Sequence, residues 1–535
     1  MNYIELNNQV IIRDENGKYQ LDKDKEALKS YLEDYIEPRM RKFNNLKERL
    51  DYLVKNDYYS KEIINMYDEY VIEVIYDFIR SKNFKFQSYM SASKFYQNYA
   101  LKSNDGEEIL ESYEDKVLIV ALTLGDGDSK LAKDIAGKLI NQEFQPATPT
   151  FLNAGRARAG KMVSCFLVNI EDSCEGISYG VSSANHLSKI GGGVALNLTR
   201  LRASGESIKG IKGAAGGVMG VAKLLEQSFS YFNQMGARQG AGAVYLNVLH
   251  PDFETLLDSK KINADEKIRL TTLSIGAIIP DKFMELAEKN ENCYAFYPHS
   301  IYQKYGVHLD EIKMDEWYDK LAQDDEIEKK EINPRELLTR IAQTQQESGY
   351  PYVVFIDSAN QQHTLKDVGM IKMSNLCCEI FQYQTPSDIK GYGQVSDWGQ
   401  DISCNLGSLN IANVMDNKDI EKTIDVAIRA LTYVSDNTNI EEVPTIKKGN
   451  DSSHSIGLGA MNLHGYLVRE DIIYTSKEGR EFADVFFAMM RYYAIKTSMN
   501  IAIEKGETFN GFEKSDYANL FAIGWIFILE WAERR

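Results

Sequence analysis

Two prolines and a glycine within residues 145–155 (Gln-Pro-Ala-Thr-Pro-Thr-Phe-Leu-Asn-Ala-Gly) forbid a continuous helix there and divide the chain into two textures. Before the break, from about residue 20 to 140, apolar side chains recur at helical spacing. Leu28, Tyr31, Leu32 and Tyr35 form one such series; Leu46, Leu50 and Leu53 form another; Ile63, Ile64 and Tyr67 a third. Charged residues fill the other faces, and the dense aromatics (Tyr58, Tyr59, Phe84, Phe86, Tyr89, Phe95, Tyr96) read as a helical packing layer. After the break, short β-like runs at 163–168, 193–198, 244–248, 273–279 and 352–355 alternate with helical runs near 176–188 and 218–232. That alternation predicts an α/β fold with largely parallel strand pairing.

The 535 residues suffice for about three domains, or one large barrel with an added domain. A hydrophobic fraction of 44% and a charged fraction of 26% supply ample core for either. The net charge of −17 argues against a nucleic-acid surface and against an anionic membrane. Six cysteines (Cys165, Cys174, Cys293, Cys377, Cys378, Cys404) are too few for a secreted disulfide scaffold. No Cys-x-x-Cys occurs, and no residue set reads as a metal site. The first eight residues carry neither a basic nor an apolar signal region, so a cytoplasmic location is expected.

Glycine clusters at 191–193, 213–220, 236–242 (a loop with Arg238) and 457–459 mark tight backbone sites, the second and last read as helix openings. A helix N-terminus after glycine favours anions. None is a phosphate-binding P-loop or a dinucleotide fingerprint.

The densest chemistry lies at 371–380 (Ile-Lys-Met-Ser-Asn-Leu-Cys-Cys-Glu-Ile). In an extended segment Asn375, Cys377 and Glu379 would face one way. A thiol can be nucleophile, metal ligand or one-electron carrier. A carboxylate two residues away can take a proton, and an amide can hold a hydroxyl. A buried strand edge with a core cysteine would give the same pattern.

Seven blocks in order then resemble one family. They are 144–155, Met162-Val-Ser-Cys-Phe166, Ser188-Lys-Ile-Gly-Gly-Gly-Val194, Gln239-Gly-Ala-Gly-Ala-Val-Tyr-Leu246, Asn375-Leu-Cys-Cys-Glu379, Asp401-Ile-Ser-Cys-Asn-Leu-Gly-Ser-Leu-Asn410 and Ser455-Ile-Gly-Leu-Gly-Ala-Met-Asn-Leu-His464. Together they resemble the large catalytic (α) subunit of class I ribonucleotide reductase, from about Asp22 to Asn519. The class Ib branch is the nearest, since the first helical region begins with no room for an ATP-cone domain.

The resemblance implies a helical N-terminal domain (1–90, then 91–160) and a ten-stranded α/β barrel (161–519) with an internal finger loop. It implies that ribonucleoside diphosphates become 2′-deoxyribonucleoside diphosphates for DNA synthesis. Cys377 would carry the thiyl radical, Glu379 would accept the 3′-hydroxyl proton, and Asn375 would hold substrate hydroxyls. Cys165 and Cys404 match the redox cysteine pair. Thr148, Ser164, Cys165, Gly193, Asn375, Leu376, Cys377, Cys378 and Glu379 match substrate-binding positions. Asp172 and Arg202 match the allosteric site for a deoxynucleoside triphosphate or ATP at a homodimer interface, with the loop at 236–242 as relay. No cofactor is bound by this chain itself. The radical would come from a dimetal small (β) subunit, and a glutaredoxin- or thioredoxin-like protein would restore the thiols.

Three features depart from the pattern. Cys378 replaces a small non-thiol residue, and adjacent thiols also resemble pyruvate formate-lyase-type glycyl radical enzymes, which share the barrel. Asn375, Glu379 and the Cys165/Cys404 pair argue against that class. Cys174 and Cys293 match no functional position and read as packing residues. Residues 520–535 form an apolar tail unlike the family, and Tyr492-Tyr493 lies in a helical run rather than in the family's tyrosine pair. The later barrel strands, a diphosphate loop and the tail cysteines are therefore expected from a separate C-terminal fragment. An inactive remnant or a nucleotide-binding regulator is the competing reading.

Overall fold

The computed structural model describes residues 2–158, 160–232, 240–391 and 394–518. The tail at 520–535 and most of the loop at 236–242, including Arg238, lie outside these. Eight strands matter here: β1 (Phe144–Pro146), β2 (Cys165–Asn169), β3 (Gly193–Asn197), β4 (Gly242–Asn247), β5 (Ser274–Ile279), β6 (Tyr352–Phe355), β7 (Ile402–Asn410) and β8 (Ile456–Met461).

The chain forms two compact units that do not follow sequence order. The first comprises residues 1–162, 405–437 and 456–506. It is helical, as the 3.6-residue periodicity before the break predicts. Its centre is the helix Tyr113–Gly125, in which nearly every residue is buried, packed on Ser129–Ile140 and Glu69–Ser81. An all-round apolar sequence such as Val117-Leu-Ile-Val-Ala-Leu122 can only sit inside a layer of other helices. Two more helices, Ile420–Asp436 and Lys477–Lys505, belong to the same unit. A short sheet completes it: β1 runs antiparallel, and β8 parallel, to the end of β7.

The segment at 457–459 is therefore strand, not the opening of a helix. Its glycines pair with residues 406–408 of β7, and the next helix begins at Leu463.

The second unit comprises, among the described residues, those within 163–404, 438–455 and 507–518. Its sheet runs β7 (Ile402–Cys404), β2, β3, β4, β5, β6; β7 is antiparallel to β2, and the remaining pairs are parallel. Strands β2 to β5 are buried at every position, which explains their continuous Val/Leu/Ile/Ala runs. The helices Cys174–Lys189 and Val218–Tyr231 supply the crossovers between successive parallel strands. The α/β reading and the largely parallel pairing agree with this unit. No helix among the described residues is long and apolar enough to cross a membrane.

Gly155, in the first unit, shows how the proline-rich break is held. It has φ +70°, in the left-handed region, and its carbonyl accepts the Ser60 N–H at 2.9 Å. An added Cβ would come within 2.2 Å of Ile119 Cγ1. Gly155→Ala is expected to destabilise the protein by about 2–4 kcal/mol, measured as a shift in the urea unfolding midpoint.

Candidate active site

The cysteine-bearing segment is not extended. Residues 375–378 form a tight turn closed by the Cys378 N–H on the Asn375 carbonyl at 3.1 Å, and Cys378 has φ +63°. The Asn375 side chain explains why: its Oδ1 accepts the N–H of Glu379 at 2.9 Å and of Ile380 at 3.0 Å. An asparagine amide substitutes for a backbone partner in this way at turns. The convergence expected from strand alternation is achieved instead by a turn wrapped on one amide.

The other half of that amide reaches the chemistry. Asn375 Nδ2 donates to Glu379 Oε1 at 2.9 Å and lies 3.4 Å from Cys165 Sγ. Asn375 is fully buried, while Cys377 and Glu379 are exposed. Cys165 and Cys404 are direct register partners on antiparallel β2 and β7. Directly opposed residues of such a pair have Cα atoms about 4.5–5.5 Å apart, within the range a disulfide spans. Five residues singled out from sequence therefore fall in one unit, four of them connected through Asn375 and the strand register.

Ser164 precedes Cys165 and is buried. Its backbone is paired, its N–H to the Cys404 carbonyl and its carbonyl to the Gly193 N–H, but its Oγ has no hydrogen-bond partner among the described residues. A buried hydroxyl without a partner costs about 1–3 kcal/mol unless a ligand or water satisfies it. Leu376 lies directly over Gly193, where an added Cβ would sit 3.0 Å from Leu376 Cδ2. Cys378 is half-buried and directs its thiol to the Val353 carbonyl on β6 at 3.7 Å; burial pushes that thiol up from its usual range.

The remaining sequence candidates lie elsewhere. Asp172 and Arg202 pair with each other: Arg202 Nε is 2.7 Å from Asp172 Oδ2, and the Arg202 N–H donates to Oδ1 at 3.2 Å. Arg202 also holds the Ser207 carbonyl at 2.7 Å. Thr148 belongs to the first unit, where its Oγ1 is 2.9 Å from the Tyr99 hydroxyl. Cys293 is buried, in keeping with a packing role. Cys174 is exposed on the first turn of its helix, so the packing role expected for it is incorrect; a position just after the Ser173 cap faces solvent.

Several supports carried no local sequence signal. Asn360 brackets Ile371, accepting its N–H at 2.8 Å and donating to its carbonyl at 3.0 Å. Lys372 faces Asp310 and Glu311 at 3.7 and 3.4 Å. Arg200 joins the same carboxylates, through Nε to Asp310 at 2.8 Å and also to Glu311 and Glu171. Burial opposes the Asp310 charge, but Lys372 and Arg200 hold its carboxyl below the usual range. The Tyr245 hydroxyl donates to the Asn375 carbonyl at 2.6 Å. Only the charge and aromatic character of these residues is visible in the chain; their convergence is not.

With this geometry in place, the comparisons with known proteins are direct. Residues 163–533 match the family described as "Ribonucleotide reductase, barrel domain". Residues 3–84 match "Ribonucleotide reductase N-terminal", and residues 85–159 match "Ribonucleotide reductase, all-alpha domain". The chain belongs to the ribonucleotide reductase family, as a large catalytic subunit. It is 51% identical over 516 residues to the "Ribonucleoside-diphosphate reductase subunit alpha" of Bacillus subtilis (strain 168), covering 96% of this chain and 74% of that protein. It is 45% identical over 518 residues to the protein of the same name from Mycoplasma genitalium, covering 97% and 71%. The Treponema pallidum protein of that name is 30% identical over 492 residues, covering 88% and 58%.

Two outcomes test the site's construction. Gly193→Ala is expected to cost about 1 kcal/mol, and the cost should largely vanish in a Leu376→Ala background, as read from urea midpoints of the four-way cycle. The second concerns Asp401, which takes the Asn169 N–H and Gln384 Nε2, both at 3.0 Å, beside the β2–β7 pairing. Burial raises its carboxyl from 3.8 to about 6. The folded chain thus keeps a proton that the unfolded chain releases, so this group's stabilisation is lost as pH rises from about 4 to 6. Asp401→Asn should flatten the fall in unfolding free energy across that window.

Proposed function

We propose that this chain reduces ribonucleoside diphosphates to 2′-deoxyribonucleoside diphosphates by thiyl-radical chemistry centred on Cys377. The observation that carries the reading is the Asn375 amide nitrogen, within reach of both Cys165 Sγ and Glu379 Oε1. It ties a candidate reductant to a candidate base beside an exposed thiol. A Cys377 thiyl takes the 3′ hydrogen atom, and Glu379 takes the 3′-hydroxyl proton while Asn375 holds the hydroxyls. The 2′ hydroxyl leaves as water. Cys165 and Cys404 give two electrons and two protons and become a disulfide, and the 3′ hydrogen returns from Cys377. The opposed register of the two cysteines favours that closure without moving the strands. The unpaired Ser164 Oγ is a natural partner for a substrate oxygen. Gly193, Leu376 and Cys378 complete the substrate contacts proposed within the second unit, and Thr148 is proposed as a substrate contact from the sequence resemblance alone.

The same reading makes the chain a partner of a radical-generating dimetal β subunit and of a thioredoxin- or glutaredoxin-like reductant. Asp172 and Arg202 would take a deoxynucleoside triphosphate or ATP in a homodimer, exchanging their mutual ion pair for ligand contacts.

The test is deoxynucleotide formation by the purified chain with a β subunit, a dithiol and nucleotide effectors. It is run with and without a polypeptide supplying the portion of the B. subtilis relative that the alignment does not cover. Turnover is expected, falling to background in Cys377→Ser and by about 10²–10⁴-fold in Glu379→Gln. Effector binding without turnover under every pairing would leave a regulator or an inactive remnant. Turnover independent of Cys165 and Cys404 would point to glycyl-radical-type chemistry.

A further inference from the structure

Tyr245 occupies the middle of β4, a strand buried at every position. A core strand needs an aromatic there only for volume, which phenylalanine supplies without a hydroxyl to satisfy. Here the hydroxyl has a specific use. It donates to the Asn375 carbonyl at 2.6 Å, and that same carbonyl accepts the Cys378 N–H at 3.1 Å. Both lone pairs of one oxygen are thereby committed, one to closing the turn and the other to fixing it on the sheet.

The seat for the ring is built into the neighbouring strand. Tyr245 is the register partner of Gly276 on β5, and a Cβ at Gly276 would fall 2.3 Å from Tyr245 Cε1. Any larger residue would push the phenol off its line to the turn. The turn itself stores strain, because Cys378 is a non-glycine residue in the left-handed region and a thiol side chain offers that conformation little compensation. A strained turn keeps one arrangement only while its surroundings hold it. Two contacts do so from the two strands that flank β5: Tyr245 on β4 at the first residue of the turn, and the Val353 carbonyl on β6 at the last.

We propose that Tyr245 is a positioning residue for Cys377, its hydroxyl anchoring the turn so that the intervening thiol keeps one direction. The catalytic part of this inference rests on the reading of Cys377 given above; the anchoring part does not.

The experiment uses Tyr245→Phe in the full chain, which keeps the ring on Gly276 and removes only the hydroxyl. Alkylation by iodoacetamide is followed at each cysteine by peptide mass spectrometry, with buried Cys293 as the internal standard for global unfolding. Turnover is measured in the reconstituted mixture. The expected result is alkylation of half-buried Cys378 about three- to tenfold faster with Cys293 unchanged. A kcat lower by about ten- to a hundredfold, with KM little altered, should accompany it. Unchanged Cys378 labelling overturns the proposal, as does a parallel rise at Cys293, which would mark a purely structural role. Faster Cys378 labelling with undiminished kcat also overturns it. Should Cys377→Ser retain turnover, the catalytic reading of Cys377 fails, while the labelling of Tyr245→Phe still reports on the anchor separately.

Discussion

One buried amide holds the site together. Asn375 Oδ1 takes two backbone N–H groups of the residues that follow it, Nδ2 reaches Glu379 and Cys165, and its backbone carbonyl takes Tyr245 and Cys378. With Ser374 Oγ also 3.4 Å from Oδ1, the side-chain contacts fill an asparagine's capacity. The low dielectric of the interior makes each contact stronger and each vacancy more costly. Aspartate could not donate, and a shorter or apolar side chain would leave the Glu379 and Ile380 N–H groups unpaired. The placing of Glu379 follows from this one residue, and the turn that carries Cys377 closes on it.

The turn must also be fixed to something that does not move. Its approach is pinned by Asn360 at Ile371 and by a charged cluster at Lys372, where Arg200, Asp310, Glu311 and Glu171 meet. Buried ion pairs of this kind repay little of their desolvation cost, so their presence is weak evidence for stability. They do specify a single arrangement. A Lys372 displaced from Asp310 and Glu311 would leave charge uncompensated in the interior, which discriminates strongly against a slipped segment. Glycines complete the fit from the sheet side, Gly193 admitting Leu376 and Gly276 admitting Tyr245.

The sequence was informative wherever chemistry or periodicity is local. Asn375, Cys377 and Glu379 fall within five residues, so their proximity needs no fold. The helical series before residue 140 and the buried apolar runs of β2 to β5 carry their own period. Local reading failed where a nonlocal contact chose the conformation. The extended form expected for 371–380 gave way to a turn because the Asn375 side chain captured its neighbours' backbone. Glycines at 457 and 459 became strand because β7 offered a parallel partner. Cys174 turned out exposed because a helix cap, not a core, surrounds it.

What the sequence by itself determined was the set of candidate reactive groups and the α/β class, since side-chain chemistry and hydrophobic period are properties of neighbours along the chain. What only the tertiary structure decided was which distant groups meet. Cys165 and Cys404, 239 residues apart, oppose each other because β2 and β7 pair antiparallel in one register, and a slip of one residue would turn their side chains to opposite faces. Tyr245 on β4 reaches Asn375, and Arg200 reaches Asp310, because the packed sheet and helices bring loops distant in sequence together. Sheet register is set by the summed packing of whole strands and helices, and no short stretch of sequence contains that sum.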